Sequence, residues 1–201
     1  MKRVVDVAGS LLALVLLAPA MLLVAAFILA DSGGPVIFRQ LRVGRGGKTF
    51  LIHKFRTMND GQSDFAPALT GSTDPRITRV GRFLRRHKLD ELPQLFDVIA
   101  GNMSLVGPRP ELPQFVAICP DDVRSKVLSV RPGMTDLASI EFFDEGDMFA
   151  GALHPERIYV ESILPRKLAL ATEYVDRQSL RLDFMIMAKT ILHLLRPGRT
   201  A

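Results

Sequence analysis

Two acidic residues, Asp90 and Glu91, stand side by side at the head of an apolar pattern in "HKLDELPQLFDVIAGNMSLVGPRPEL". Leu92, Leu95, Phe96 and Ile99 recur at helical spacing, and Pro93 is tolerated only in a first turn. The spacing therefore predicts a helix that starts near Asp90. The unpaired N–H groups and positive dipole end of a helix start keep a nearby carboxylate ionised. The bland reading is a cap residue followed by an acidic first turn. Neighbouring cations weigh against it. Arg85 lies five residues upstream of Asp90, and Arg109 is held between Pro108 and Pro110 after a tight turn that Gly107 permits. A stiffened arginine suits phosphate oxygens. Arg131 adjoins a Pro132–Gly133 turn. Together these residues describe an anionic nucleophile or metal ligand surrounded by phosphate-binding cations. Lys54 and Arg56, on a strand-like stretch, could also point at a phosphate, though alone they read as a solvated edge.

The elements that must position them are legible in part. "PVIFRQLRVGRGGKTFLIHKFRTM" predicts two strands around a glycine turn. Its "GRGGKT" is not a nucleotide loop, because Arg42 stands where the first glycine of that motif belongs. "GQSDFAPALTGSTDPR" reads as a surface loop. Next, Ile77, Val80 and Leu84 line one helical face while Arg79, Arg82 and Arg86 line another, a pattern that suits a membrane surface or a solvated one. "EFFDEGDMFAG" is acidic without the alternation of a calcium loop, so a solvated or substrate-gating loop is expected. Residues 155–177 suggest a helix with Ile158, Ile163 and Leu164 toward the core, and Ser179 can cap a last apolar helix. The four histidines form no metal spacing.

With 201 residues, one compact domain is the default. Hydrophobic residues make up 48% and the mean hydropathy is +0.20, high for a wholly soluble chain. The net charge of +5 suggests an anionic partner: nucleic acid, lipid headgroups or phosphorylated substrates. Cys119 is the single cysteine, so no intramolecular disulfide forms. Leu11 to Ala30 is an unbroken apolar run with Pro19 in its middle. It is long enough to cross a bilayer core. A signal peptide conflicts with Asp6 and with the length. That leaves a kinked spanning helix, or a helix that breaks at Pro19 and returns to the same side. Positive residues flank the run at both ends (Lys2 and Arg3 before it, Arg39 and Arg42 after it), which favours the second.

"KFRTM", "LDELPQLFDVIAGNMSLVGPRP" and "RPGMT", preceded by a proline-broken apolar helix, resemble the small monotopic phosphoglycosyl transferases, a family of bacterial sugar transferases. The resemblance covers nearly the whole chain. It implies an α+β, mostly helical, monotopic membrane protein. Residues 1–32 would form a re-entrant helix–break–helix hairpin, and residues 33–201 a compact cytoplasmic catalytic domain at the bacterial inner membrane. It implies transfer of a phospho-sugar from a UDP-sugar to undecaprenyl phosphate with release of UMP, and a requirement for Mg²⁺. Asp90 matches the nucleophile of a covalent phospho-sugar intermediate, and Glu91 its acidic partner, in deprotonation or metal binding. Lys54, Arg85 and Arg109 match basic positions around the phosphates. No nucleic-acid partner is implied, and a homodimer stays open. The competing readings are a glycosyl transferase that releases UDP and a non-enzymatic basic membrane-anchored module. The chain departs from the family's pattern at Ala18, in Asp136–Ser139 and at Ala171.

Overall fold

A computed structural model describes residues 1–59, 69, 71–149 and 151–195. Most of the surface loop expected before Pro75 lies outside the described residues. The chain opens with one long helix, α1 (Lys2–Ser32). Its leucine and alanine content favours a helix, and the helix runs without interruption across Pro19. The expected break is thus not a gap between two helices. Proline removes one donor and crowds the preceding turn, but the flanking turns remain helical. Among the described residues, α1 is the one helix long and apolar enough to cross a membrane, by length and composition. One stripe faces the protein, through Asp6, Ser10, Met21, Val24, Ala25 and Ile28. Leu12, Val15, Leu16, Leu22, Leu23 and Phe27 on its other faces are exposed.

Both ends of α1 are tied to the same domain. At its start, Lys2 Nζ donates to Asp183 at 2.6 Å and Arg3 donates to the carbonyls of Val98 at 2.7 Å and Ile99 at 3.0 Å. Asp6 accepts from Ser104 Oγ at 2.8 Å. At its end, Asp31 accepts from the Val80 N–H at 3.0 Å. Arg56 donates to Ser32 O at 3.0 Å and Gly34 O at 3.2 Å. A helix leaves its last carbonyls without partners, and the Arg56 guanidinium supplies some of them.

A hairpin follows. Strand β1 (Ile37–Val43) pairs antiparallel with β2 (Thr49–Phe55), with Phe38 opposite Lys54 and Val43 opposite Thr49. Gly46 and Gly47 turn the chain at positive φ. Helix α2 (Arg79–Arg86) is capped by Thr78, whose Oγ1 accepts from the Gly81 N–H at 2.8 Å. Val80 and Leu84 pack with Ile28 and Phe55, while Arg79, Arg82 and Phe83 are exposed. A 3₁₀ turn at Leu89–Glu91 leads into α3 (Gln94–Ala100). The α-helix proper therefore begins four residues after Asp90, since Pro93 fits only the helix start.

Strand β3 (Ser104–Val106), α4 (Pro113–Ala117) and α5 (Asp121–Val127) precede β4 (Gly133–Thr135), which pairs parallel with β3. Short helices α6 (Leu137–Glu141), α7 (Glu145–Met148) and α8 (Pro155–Ile158) come next. A π-turn at Tyr159–Ile163 joins α8 to α9 (Leu164–Arg177), so the helix expected over 155–177 is realised with one widened turn. Helix α10 (Leu180–Leu195) receives the expected Ser179 contact, Leu182 N–H to Oγ at 3.2 Å. The main core gathers Leu112, Phe115, Phe149, Tyr159, Ile163 and Leu164. The architecture is mostly helical with two small two-stranded sheets.

Candidate active site

The 3₁₀ turn that carries the acidic pair packs against strand β2 and helix α2. Asp90 is buried, and its Oδ1 has no hydrogen-bond partner among the described residues. Lys88, two residues earlier, is the one described non-glycine residue at positive φ, 54°. Such a backbone is costly for a side-chain-bearing residue and clusters at functional sites. Glu91 accepts from Lys54 Nζ at 2.8 Å and from Arg109 Nη1 at 3.2 Å, with Arg109 Nη2 also on Oε1.

Arg109 is placed by a close backbone approach. Ser104 pairs with Gly133 and Val106 with Thr135. Beyond the strand, the Gly107 N–H donates to Thr135 O at 3.1 Å and the Gly133 N–H to Pro108 O at 3.0 Å. A Cβ on Gly133 would lie 2.1 Å from the Gly107 nitrogen, so both "GPRP" and "RPGMT" need glycine where they meet. Asp136 then holds the arginine's own main chain. Its Oδ2 accepts from the Arg109 N–H at 3.1 Å, while its Oδ1 accepts from Ser139 N–H and Oγ, each at 2.6 Å, capping α6. On the far side, Arg42 donates to Pro110 O at 3.0 Å.

The two carboxyls are pushed in opposite directions. Burial raises the Asp90 pKa, and the neighbouring charge of Glu91 raises it further, against the pull of Lys54, Lys88 and Arg85. Burial opposes ionisation of Glu91 too, but Arg109 and Lys54 outweigh it and hold Glu91 well below the ordinary carboxylate range. Burial lowers the Lys54 ammonium, partly offset by Glu91. Glu91 raises Arg109. Pairs whose environments drive their pKa values apart mark acid–base sites. Here one carboxylate carries the negative charge and its neighbour is biased toward keeping a proton.

Of the residues singled out in the sequence, Asp90, Glu91, Lys54 and Arg109 come together here. Arg85 lies beside them, its Nε donating to Thr57 Oγ1 at 2.8 Å, and its charge acts on Asp90. Arg56 and Arg131 take other partners. Arg56 closes the end of α1, and Arg131 Nε donates to Gly101 O at 3.0 Å. On a strand, successive side chains point to opposite faces, so Lys54 and Arg56 share a face in principle. The loop after α1 claims Arg56 instead. Pro19 lies in the exposed middle of α1, away from the pair. Sequence reasoning missed Lys88 and Asp136. Lys88 could have been found as a further cation close to Asp90; Asp136 carried no signal beyond being an acid after a turn.

A magnesium ion fits this donor set only with help from a substrate. Among the described residues, no group of three or more His, Cys, Asp or Glu side chains is placed to hold a metal. Mg²⁺, however, commonly takes one or two carboxylates, several waters and substrate phosphate oxygens. The unpartnered Asp90 Oδ1 is such a donor, whereas Glu91 is already occupied by cations.

The family model for bacterial sugar transferases matches residues 1–197, and the chain belongs to that family. It is 41% identical over 196 residues to an undecaprenyl-phosphate glucose phosphotransferase of Komagataeibacter xylinus, covering 94% of this chain and 35% of that protein. It is 40% identical over 204 residues to a UDP-glucose:undecaprenyl-phosphate glucose-1-phosphate transferase of Caulobacter vibrioides, covering 96% of this chain and 69% of that protein. A UDP-N-acetylgalactosamine-undecaprenyl-phosphate N-acetylgalactosaminephosphotransferase of Aeromonas hydrophila is 36% identical over 94% of this chain and 42% of its own length. The chain thus spans between about a third and two thirds of these relatives.

Proposed function

We propose that this chain is a phosphoglycosyl transferase. It moves a phospho-sugar from a UDP-sugar to undecaprenyl phosphate and releases UMP. The observation that carries the reading is the cluster itself: a buried carboxylate with an unpartnered oxygen, beside a second carboxylate clamped by Lys54 and Arg109. Glu91 occupies the place where a phosphate would suit those cations. Donor phosphate competes for Lys54 and Arg109, and so frees Glu91 to take a proton from its neighbour. Asp90 Oδ attacks the sugar-bearing phosphorus, the bond from that phosphorus to the UMP oxygen breaks, and UMP leaves. An oxygen of the polyprenyl phosphate then attacks the same phosphorus and releases Asp90. Two bulky anionic substrates thereby use one site in turn. Lys54, Lys88, Arg85 and Arg109 stabilise charge that spreads over the phosphoryl oxygens. Mg²⁺ bound at Asp90 and the diphosphate would supply further neutralisation.

The acceptor in this reading is a lipid, so the reaction runs at the membrane, and the positive residues that flank the apolar run at both ends favour its cytoplasmic side. An ordinary spanning helix delivers its ends to opposite sides of a bilayer. Both ends of α1 bond to the same domain, which supports a monotopic arrangement in which the exposed leucines of its middle lie in lipid without the helix crossing the bilayer. The test is nucleotide release from the purified chain with Mg²⁺, undecaprenyl phosphate and a panel of UDP-sugars. UMP is expected. UDP would mean that sugar moves without its phosphate, and would overturn the role given to Asp90.

A further inference from the structure

Glu91 lines a cavity of about 90 Å³ whose far wall, from Ser139 to Lys167, the chemistry above does not use. Glu91 and Arg109 belong to its lining, together with Ser139, Phe142, Glu145 and Lys167. We infer that this cavity receives the sugar ring of the donor and that Glu145 and Lys167 read its hydroxyl groups. The inference rests on the transferase reading and adds the part of the substrate that the phosphate chemistry leaves unspecified.

Three observations carry it. The first is charge. Lys167 is buried, and its Nζ donates to Glu145 Oε1 at 2.7 Å while lying 4.8 Å from the Tyr159 ring centroid. A paired lysine and glutamate present strong donors and acceptors without net charge. That suits an uncharged polyol, whereas the unbalanced cations around Asp90 suit phosphate. The second is size. The volume corresponds to roughly six to nine ordered waters, the scale of one sugar ring and far below the several hundred Å³ of pockets for larger ligands. The third is position. The cavity shares Arg109 and Glu91 with the phosphate cluster, and a sugar is joined directly to the phosphorus that reacts. Phe142 offers an apolar face to the ring's C–H groups, and Ser139 sets its hydroxyl beside Asp136, which positions Arg109.

A site built to hydrogen-bond a hydroxyl rejects the epimer that points it elsewhere. Glu145→Gln keeps the shape and removes the charged acceptor. Phe142→Leu removes the aromatic face without touching the ion pair, and serves if Glu145→Gln unfolds. UMP release is measured for the full chain and both variants with UDP-glucose, UDP-galactose and their N-acetylated counterparts, together with inhibition by UMP. Glu145→Gln is expected to raise KM for the preferred donor roughly tenfold and to compress the ratio between that donor and its epimer. Phe142→Leu should raise KM in the same direction. Inhibition by UMP should stay within about twofold, because UMP carries no sugar. Unchanged donor ratios in both folded variants would overturn the sugar site while leaving the transferase reading intact. Weakened UMP inhibition of the same size as the KM change would reassign the cavity to the nucleotide. No UMP from any donor in the parent chain would overturn the transferase reading and this inference with it.

Discussion

Replacing Asp90 by asparagine should remove turnover and stabilise the protein at the same time. The parent pays an electrostatic penalty at this position. Asp90 is 8% exposed and its Oδ1 has no partner, and an ionised group left buried and unsatisfied costs about 1–3 kcal/mol or more. Lys54, Lys88 and Arg85 offset part of this, but the net effect still raises its pKa. Asparagine has the same shape and no charge, so a gain of about 1–2 kcal/mol is expected at pH 8, equivalent to about 2–8 °C in Tm for a chain of this size. The sign follows from linkage. With the folded pKa raised, Asp90 carries its proton in both the folded and unfolded states below the ordinary carboxylate value, and no penalty exists there. The penalty develops as pH rises through the folded pKa and is complete above it. The gain from Asp90→Asn should therefore be present at pH 8 and vanish near pH 4. Thermal melts of both proteins in one detergent at both pH values, paired with UMP release, provide the measurement. A variant that melts lower than the parent at pH 8, or that keeps its turnover, would refute the reasoning.

Glu91→Gln should behave oppositely: about 2–4 kcal/mol less stable near pH 7, because Lys54 and Arg109 lose their shared anion. Since Glu91 is held well below the ordinary carboxylate range, its contribution is present above that range and lost as pH falls through its folded pKa, so melts of parent and variant should converge in acid. Asp136→Ala leaves the N–H groups of Arg109 and Ser139 without an acceptor and should cost about 1–3 kcal/mol, with kcat falling more than Arg109-independent donor binding; equal stability in a melt would remove Asp136 as an anchor. Arg109→Lys keeps the charge but loses the two-pronged contact with Glu91, and should lower kcat/KM by roughly tenfold or more. Kinetics equal to the parent would show that the fork is unnecessary.

The hairpin and the arginine-rich helix α2 were legible because each rests on local pattern, and Arg109 stood out because prolines stiffen it; Lys54 joined it only through the family resemblance, and the structure brings both to Glu91. What escaped was decided by distant partners. Arg56 looks like Lys54 in sequence, yet the carbonyls after α1 claim it. Arg131 looks like Arg109, yet it turns to Gly101 O. Asp136 gained its role only because β4 runs beside β3 and brings it to the Arg109 N–H, a pairing that local patterning does not encode. The helix start was displaced because an acidic 3₁₀ turn and the first turn of an α-helix draw on the same residue types.

A membrane protein tethered by a flexible leash can change its height above the lipid, and its tether can be exchanged for another. Helix α1 permits neither. Removing it would strand Asp183, Ser104 and Arg56, each of which bonds to it. It would also uncover Phe55 and Leu84, which pack against Ile28. The first helix is therefore as much floor as anchor, and the elevation of Asp90 relative to the exposed leucines of α1 is a fixed dimension of the fold. A lineage that altered the anchor's length or depth would have to rebuild α2, α3 and the end of β2 along with it. On the transferase reading proposed above, the reach of Asp90 toward a lipid-borne phosphate is set by architecture and not by diffusion of the domain.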